Sequence, residues 1–193
     1  YPSVFTAGGL CLALAMTAWK RGSRASQLAF LVYTLAIPAA FGLYLKLSFA
    51  NQYAEAAPSM TRDWNDAFPP LTDPIGLIGW VAGSVTGELV AYPFGDDRGG
   101  SLLTTMAMIV GIAAFVRKGN GFLPATLAGM YGLAFVAASL HLYPLGGERC
   151  TQYFVPLICL LAGAGMGEAV DRIRDEVARR RVLFAATTTY VAA

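Results

Sequence analysis

The stretch Tyr143-Pro144-Leu145-Gly146-Gly147-Glu148-Arg149 lies between two long apolar runs, and Tyr153-Phe154-Val155-Pro156 follows it closely. An earlier stretch, Tyr92-Pro93-Phe94-Gly95-Asp96-Asp97-Arg98, repeats its order of tyrosine, proline, large apolar residue, glycine, acid and arginine. A Pro-x-Gly turn between an interfacial tyrosine and an arginine places ring and guanidinium at one depth, near lipid headgroups. Two interpretations stay open. Either both turns are interfacial anchors, or one arginine binds a phosphate of a lipid-linked substrate through its planar guanidinium. Arg149 is the stronger candidate of the two arginines.

Composition indicates the class of protein around these turns. The chain has 193 residues, of which 56% are hydrophobic and 13% charged, whereas roughly a quarter of a soluble domain is charged. The apolar residues lie in runs and do not alternate with polar ones, as the strands of a transmembrane barrel would. We therefore expect an all-α fold, a polytopic helical membrane protein.

The apolar runs predict about six transmembrane helices in a single transmembrane domain, residues 1–193. The runs are Val4–Trp19, Leu28–Phe49, Leu102–Val116, Phe122–Leu142, Thr151–Gly167 and a last one from Val182. A further helix, Ile75–Val90, begins after the capping and proline signal Asp73-Pro74. In the fifth run, Gly163 and Gly167 form a small-xxx-small pair suited to close helix contact.

Basic residues set the orientation of these runs. Most lie in three clusters, at 20–24, at 117–118 and within the charged stretch 168–181, which predicts a cytoplasmic amphipathic helix. If all three are cytoplasmic, the first five runs alternate, and the loop 50–100 and the Tyr143 turn lie outside. If the helix Ile75–Val90 also crossed the membrane, this alternation would be broken. We therefore expect it to lie in the outer interface or to re-enter from outside.

Carboxylates in the outer loop are candidate catalytic groups. Asp63 and Asp66 are three residues apart, so one helical turn would place them on one face, as a base or as ligands of a divalent cation. The alternative is an exposed polar loop, which we favour. The three cysteines, Cys11, Cys150 and Cys159, lack the spacing of metal ligands. The arginines at 179–181 are a topology signal that meets anionic lipid, so nucleic-acid binding is not expected.

The element that contains Arg149, Tyr153 and Pro156 resembles the Arg-x-x-x-Tyr-x-x-Pro element of bacterial GT-C-type glycosyltransferases, which are similar to protein mannosyltransferases and lipid A sugar transferases. The resemblance covers about residues 60–167 and implies location in the bacterial inner membrane. It also implies an outward-facing site for a polyprenyl-phosphate-linked sugar and, in many members, a divalent metal ion. Arg149 would contact the donor phosphate, and Tyr143 and Tyr153 would line the site. Glu148 and Arg98 are further substrate-binding candidates.

One departure from that family concerns the catalytic carboxylate. The family's catalytic aspartate lies in the first outer loop, near the N-terminus of the full protein, so neither Asp63 nor Asp66 inherits the role by position. The chain has no initiator methionine and stops inside an apolar run, as expected of part of a longer enzyme. A transporter or flippase half and a non-catalytic membrane scaffold are the alternatives. Transporters usually carry broken helices and charge near the midplane, whereas here only Pro38 interrupts a run.

Overall fold

The computed structural model describes residues 3–44, 46–47, 65–84, 102–145 and 148–173, without the side chains of 21, 41, 44, 65 and 148–150. Within these ranges the chain is helical and contains no strand, which confirms the all-α expectation. The helices are α1 (Ser3–Arg21), α2 (Arg24–Tyr44), α3 (Pro74–Gly83), α4 (Leu102–Arg117), α5 (Phe122–Ser139) and α6 (Val155–Asp171). Two 3-10 helices, Asn65–Ala67 and Glu148–Phe154, precede α3 and α6.

The start of α3 follows from its sequence. The Asp73 side chain accepts a hydrogen bond from the Ile75 amide at 3.1 Å, and Pro74 occupies the first turn, where no intrahelical donor is needed. None of the residues of α3 is buried, and Ile75 and Ile78 are 84% and 72% exposed. Residues 85–90 of the expected longer helix lie outside the described residues.

Three helices are followed by a residue in the left-handed backbone conformation, Gly22 after α1 (φ +61°), Gly119 after α4 and His141 after α5. Gly119 follows α4 with φ +74°, and the Asn120 amide donates to the carbonyl of Phe115 at 2.9 Å. The end of α5 closes with equivalent bonds around His141, at φ +55°. This is the Schellman arrangement, in which glycine is usual because it has no Cβ to clash. The lone histidine therefore carries backbone strain at a position that ordinarily takes glycine.

The most extensive helix contact joins α4 and α6 through small residues. The buried residues of the two helices are Thr104, Thr105, Ala107, Met108, Gly111 and Ala114 on α4 and Leu157, Ile158, Leu161, Ala162 and Gly165 on α6. A Cβ on Gly165 would lie 2.7 Å from the Gly111 amide nitrogen, whereas one on Gly163 or Gly167 would meet none of the described residues within 4 Å. Within the described part of the chain, Gly165 makes the close contact that was predicted for Gly163 and Gly167.

A second close contact joins α1 and α5. A Cβ on Gly129 would lie 2.9 Å from the Cα of Gly9, and one on Gly9 would lie 2.6 Å from the carbonyl oxygen of Thr126. Ala13, one turn after Gly9, is fully buried. Small residues at four-residue spacing let two helix backbones approach closely, and α1 and α5 use that geometry.

The bundle has two chemically different ends. The aromatic end, defined by Phe5, Tyr143 and Tyr153, joins the start of α1 to the segment before α6. The basic end, defined by Lys20, Lys118 and Glu168, joins the far ends of α1, α4 and α6, and an ion pair of 3.1 Å links Lys118 Nζ to Glu168 Oε2 there. Hence α1, α4 and α6 run in one direction and α5 in the other, in agreement with the alternation that the basic clusters predict.

In the described part of the chain, three helical segments are long and apolar enough to cross a membrane: Ser3–Lys20, Phe122–Ser139 and Thr151–Asp171. The shorter helices α3 and α4 are also apolar. α6 continues without a break through Glu168 to Asp171, so the first residues of the expected amphipathic stretch 168–181 form its last turn. Residues 174–181 lie outside the described residues.

Candidate functional site

A cluster of aromatic rings forms the aromatic end of the bundle. The ring of Phe5 stacks on that of Tyr153, with centroids 5.5 Å apart, and meets the ring of Tyr143 at 5.0 Å and a tilted angle. Phe154, fully buried, packs against Tyr153 at 4.5 Å and against Tyr131 at 6.5 Å. Rings at these separations attract one another beyond the area they bury. The two tyrosines predicted to line one site therefore contact the same phenylalanine ring.

The Tyr143 turn is part of the protein interior at this end. Pro144 and Leu145 are among the largest fully buried side chains of the described residues. The Leu145 amide donates to the carbonyl of Ala67 at 2.9 Å, which ties the turn to the segment before α3. The Tyr143 turn and the segment before α3 are thus linked, so a change in either should affect the other.

Two further ring contacts attach the 65–84 segment to α5. Phe68, buried, stacks on the exposed ring of His141 with centroids 4.9 Å apart. Trp80 of α3 packs against Phe135 at 6.3 Å, and its indole Nε1 donates to the carbonyl of Asp66 at 2.9 Å. These contacts hold the 65–84 segment over the last turns of α5.

The candidate polar residues fall into two groups. Asp66 lies in the 3-10 helix 65–67, where its backbone carbonyl accepts from Trp80 and its side chain is exposed. Glu148 and Arg149 begin the 3-10 helix that leads into α6, and their side chains lie outside the described part. Asp63 and Arg98 lie outside it entirely. The structure therefore tests neither the proposed carboxylate pair nor the proposed phosphate contact.

Sequence reasoning did not single out Phe5, Phe68 or Tyr131. Phe5 is separated by more than 130 residues from the tyrosines it contacts, so no local spacing signals the contact. Tyr131 lies inside an apolar run, and its buried hydroxyl has no hydrogen-bond partner among the described groups. In the described part, no three His, Cys, Asp or Glu side chains are grouped as a metal site would need.

An apolar groove runs along the side of the bundle from the middle towards the aromatic end. This lateral groove has a volume of about 550 Å³ and lies between α1, α2 and α5. Cys11 and Leu12 of α1, Phe30 of α2, and Gly132 and Val136 of α5 are among its lining residues. Its walls lack charged side chains, so it suits a hydrocarbon chain better than a polar ligand.

The chain was compared with protein-family models, with curated proteins and with solved structures, and no match was found.

Proposed function

We propose that this chain is part of a multi-pass membrane glycosyltransferase of the GT-C type, which transfers a sugar from a polyprenyl-phosphate donor at the outer face of the bacterial inner membrane. The observation that carries the proposal is that the rings of Tyr143 and Tyr153 both contact the ring of Phe5. This cluster forms at the end opposite the basic residues and includes Tyr153 of the 3-10 helix 148–154, to which Arg149 belongs. About six transmembrane helices, with α3 in the outer interface, are the membrane arrangement that we propose.

The exposed surface supports the membrane part of the proposal. Large apolar side chains point outward along α2 and α4, including Leu28 at 64%, Leu35 at 65% and Ile109 at 57% exposure. Soluble monomers rarely expose contiguous apolar patches of more than a few hundred Å². The charged residues of the described helices lie at their ends, which also suits a hydrocarbon surrounding.

The lateral groove supports a lipid-linked donor. Its apolar lining matches a polyprenyl chain, and the groove rises along α5 as far as Val136, in the last turn before α5 ends at Ser139. A donor chain in this groove would bring its phosphate towards the aromatic end. Tyr143 and Tyr153 would then flank the phosphate and sugar, with Glu148 and Arg98 as further polar contacts.

Arg149 would bind the donor phosphate. Its 3-10 helix is held at the aromatic end because Tyr153 and the fully buried Phe154 anchor the last residues of that helix. A guanidinium donates two parallel hydrogen bonds to a phosphate, which is stronger and more directional than the single point charge of a lysine. A divalent metal ion, common in the family that the motif resembles, would assist through carboxylates such as Asp63 and Asp66.

The experiment that tests this function is Arg149→Lys in the intact protein, with Arg172→Lys as the matched control at the basic end. We expect Arg149→Lys to weaken binding of a polyprenyl-phosphate sugar roughly tenfold, the scale of one hydrogen bond to a charged group, and to lower sugar transfer. Arg172→Lys should leave both unchanged. Unchanged donor binding and transfer in Arg149→Lys would show the phosphate assignment to be wrong.

A transporter or flippase half and a membrane scaffold are the alternatives. The scaffold alternative draws on the close glycine contacts of α4 with α6 and of α1 with α5. Transport or partner binding that does not depend on a polyprenyl-phosphate sugar would favour these alternatives over sugar transfer.

A further inference from the structure

A cavity lies at the basic end, far from the aromatic cluster. This basic groove has a volume of about 630 Å³ and opens between the end of α1 and the turn that joins α4 to α5. Lys20 and Thr17 line it from α1, and Lys118 and Asn120 from the turn. None of its lining residues is acidic, so its field is positive.

The groove is divided into a polar mouth and an apolar wall. The two lysines and Asn120 form the mouth, whereas Ala13, Met16, Phe122 and Leu123 form the wall. Met16 is 44% exposed, so the wall is open to the side. The N-terminus of the 18-residue helix α5 adds its positive dipole end at the mouth.

The charge at the mouth is not cancelled by the nearby carboxylate. Glu168 Oε2 lies 3.1 Å from Lys118 Nζ, and Glu168 Oε1 lies 3.5 Å from an Arg172 guanidinium nitrogen. One carboxylate is thus shared between two cations. The side chain of Lys118 is 72% exposed, which leaves its remaining ammonium protons free to donate elsewhere. Lys20 brings a second positive charge from α1.

From this arrangement we infer that the basic groove binds the phosphate headgroup of an anionic phospholipid, with the first part of its acyl chains on the apolar wall. Basic pockets between helices on the cytoplasmic side of a membrane suit such headgroups. The apolar wall distinguishes a lipid from free phosphate, which would use the mouth alone. The inference goes beyond the proposed function and rests on its membrane placement, but not on sugar transfer.

The test measures binding of phosphatidylglycerol to the purified intact protein in detergent, by native mass spectrometry and by thermal stabilisation. Phosphatidylcholine and glycerol phosphate are the comparison ligands. We expect phosphatidylglycerol to bind and stabilise more strongly than either. Lys20→Gln and Lys118→Gln should each weaken its binding roughly fivefold, the contribution expected of one basic residue near an anionic headgroup.

Two further variants separate lipid binding from a structural role. Arg117→Gln removes a charge at the same end but outside the groove lining, where the Arg117 Nε donates to the carbonyl of Ala113, and should leave binding unchanged. Glu168→Gln breaks the ion pair yet keeps Lys118, so it should keep or strengthen lipid binding. If Glu168→Gln weakened binding as Lys118→Gln does, the lysine would act through the ion pair and the inference would fail.

Two other results would also overturn it. Equal binding of phosphatidylglycerol and phosphatidylcholine would mean that the groove does not distinguish lipids by headgroup charge. Binding of glycerol phosphate as strong as that of phosphatidylglycerol would mean that the groove binds a free phosphate. A protein released from membranes by alkaline carbonate would instead contradict the membrane placement in the proposed function. The failures of the two proposals are therefore distinguishable.

Discussion

Gly111 of α4 and Gly165 of α6 meet backbone to backbone, so that a Cβ on Gly165 would lie 2.7 Å from the Gly111 amide nitrogen and one on Gly111 would lie 3.1 Å from the Gly165 amide nitrogen. Each position is also too close to a backbone carbonyl of the facing helix, Gly165 to that of Ala107 and Gly111 to that of Leu161. Backbone cannot rotate away as a flexible side chain can. The separation of the two helices therefore depends on these two glycines.

Gly165→Ala should destabilise the bundle by about 1–3 kcal/mol, because the added methyl group forces α4 and α6 apart. Gly163→Ala on the same helix is the control, since a Cβ there meets none of the described residues within 4 Å. It should be neutral or stabilising by up to about 1 kcal/mol, the difference in helix propensity. Thermal unfolding in detergent measures both, and equal effects would mean that Gly165 does not set the helix contact.

The turn between α4 and α5 offers a test of backbone strain alone. Gly119 has a positive φ and Gly121 a φ of −85°, and neither has anything within 4 Å of an added Cβ. Gly119→Ala should therefore cost about 1–2 kcal/mol, the penalty of the left-handed conformation for an L-residue. Gly121→Ala should change unfolding by less than about 0.5 kcal/mol. If thermal unfolding showed that Gly121→Ala destabilises the protein more than Gly119→Ala, the Schellman assignment at Gly119 would be wrong.

Phe5 is the residue on which the aromatic end depends. Phe5→Ala should destabilise the protein by about 3–5 kcal/mol, because a 7% exposed ring that contacts both tyrosines is lost. It should also reduce protection of residues 143–154 from hydrogen exchange. Trp19→Ala on the same helix is the control, since Trp19 is 88% exposed and its loss should change stability little. Unchanged exchange in Phe5→Ala would mean that the cluster is not held by this ring.

The attachment of α3 depends on one hydrogen bond that can be removed without losing the ring contact. Trp80→Phe keeps an aromatic ring against Phe135 but removes the indole donor to the Asp66 carbonyl. We expect a loss of about 0.5–1.5 kcal/mol, the usual net worth of a hydrogen bond. Hydrogen exchange should rise in 65–84 and remain unchanged in α4 and α6. A rise throughout the protein would instead indicate that Trp80 belongs to the global core.

The sequence predicted the helices well where local signals exist. Asp73-Pro74 marked the start of α3, and Gly119 followed the end of the third apolar run, where α4 ends. The fourth run was expected to reach Leu142, but α5 ends at Ser139, because the left-handed residue that closes it is His141. A histidine carries no helix-ending signal of its own, so that boundary could not be read from the residue type.

Contacts between distant segments were harder to foresee. α6 has small residues on several faces, and their spacing does not show which face meets a partner helix. The close helix contact was therefore predicted at Gly163 and Gly167, whereas Gly165 makes it in the described part of the chain. The family resemblance implied that Tyr143 and Tyr153 line one site. Their common contact with Phe5 was not expected, because it depends on how α1 packs beside α5. The pattern of residues within one segment does not determine such pairings.

The central claim is that the aromatic and basic ends lie on opposite sides of a membrane. With the native cysteines at 11, 150 and 159 replaced, Leu142→Cys and Asn120→Cys place one thiol at each end of α5. A membrane-impermeant maleimide applied to right-side-out vesicles should label position 142 at once and position 120 only after permeabilisation. Equal labelling of both positions before permeabilisation, or labelling of position 120 alone, would contradict the proposed membrane arrangement and the outward-facing site with it.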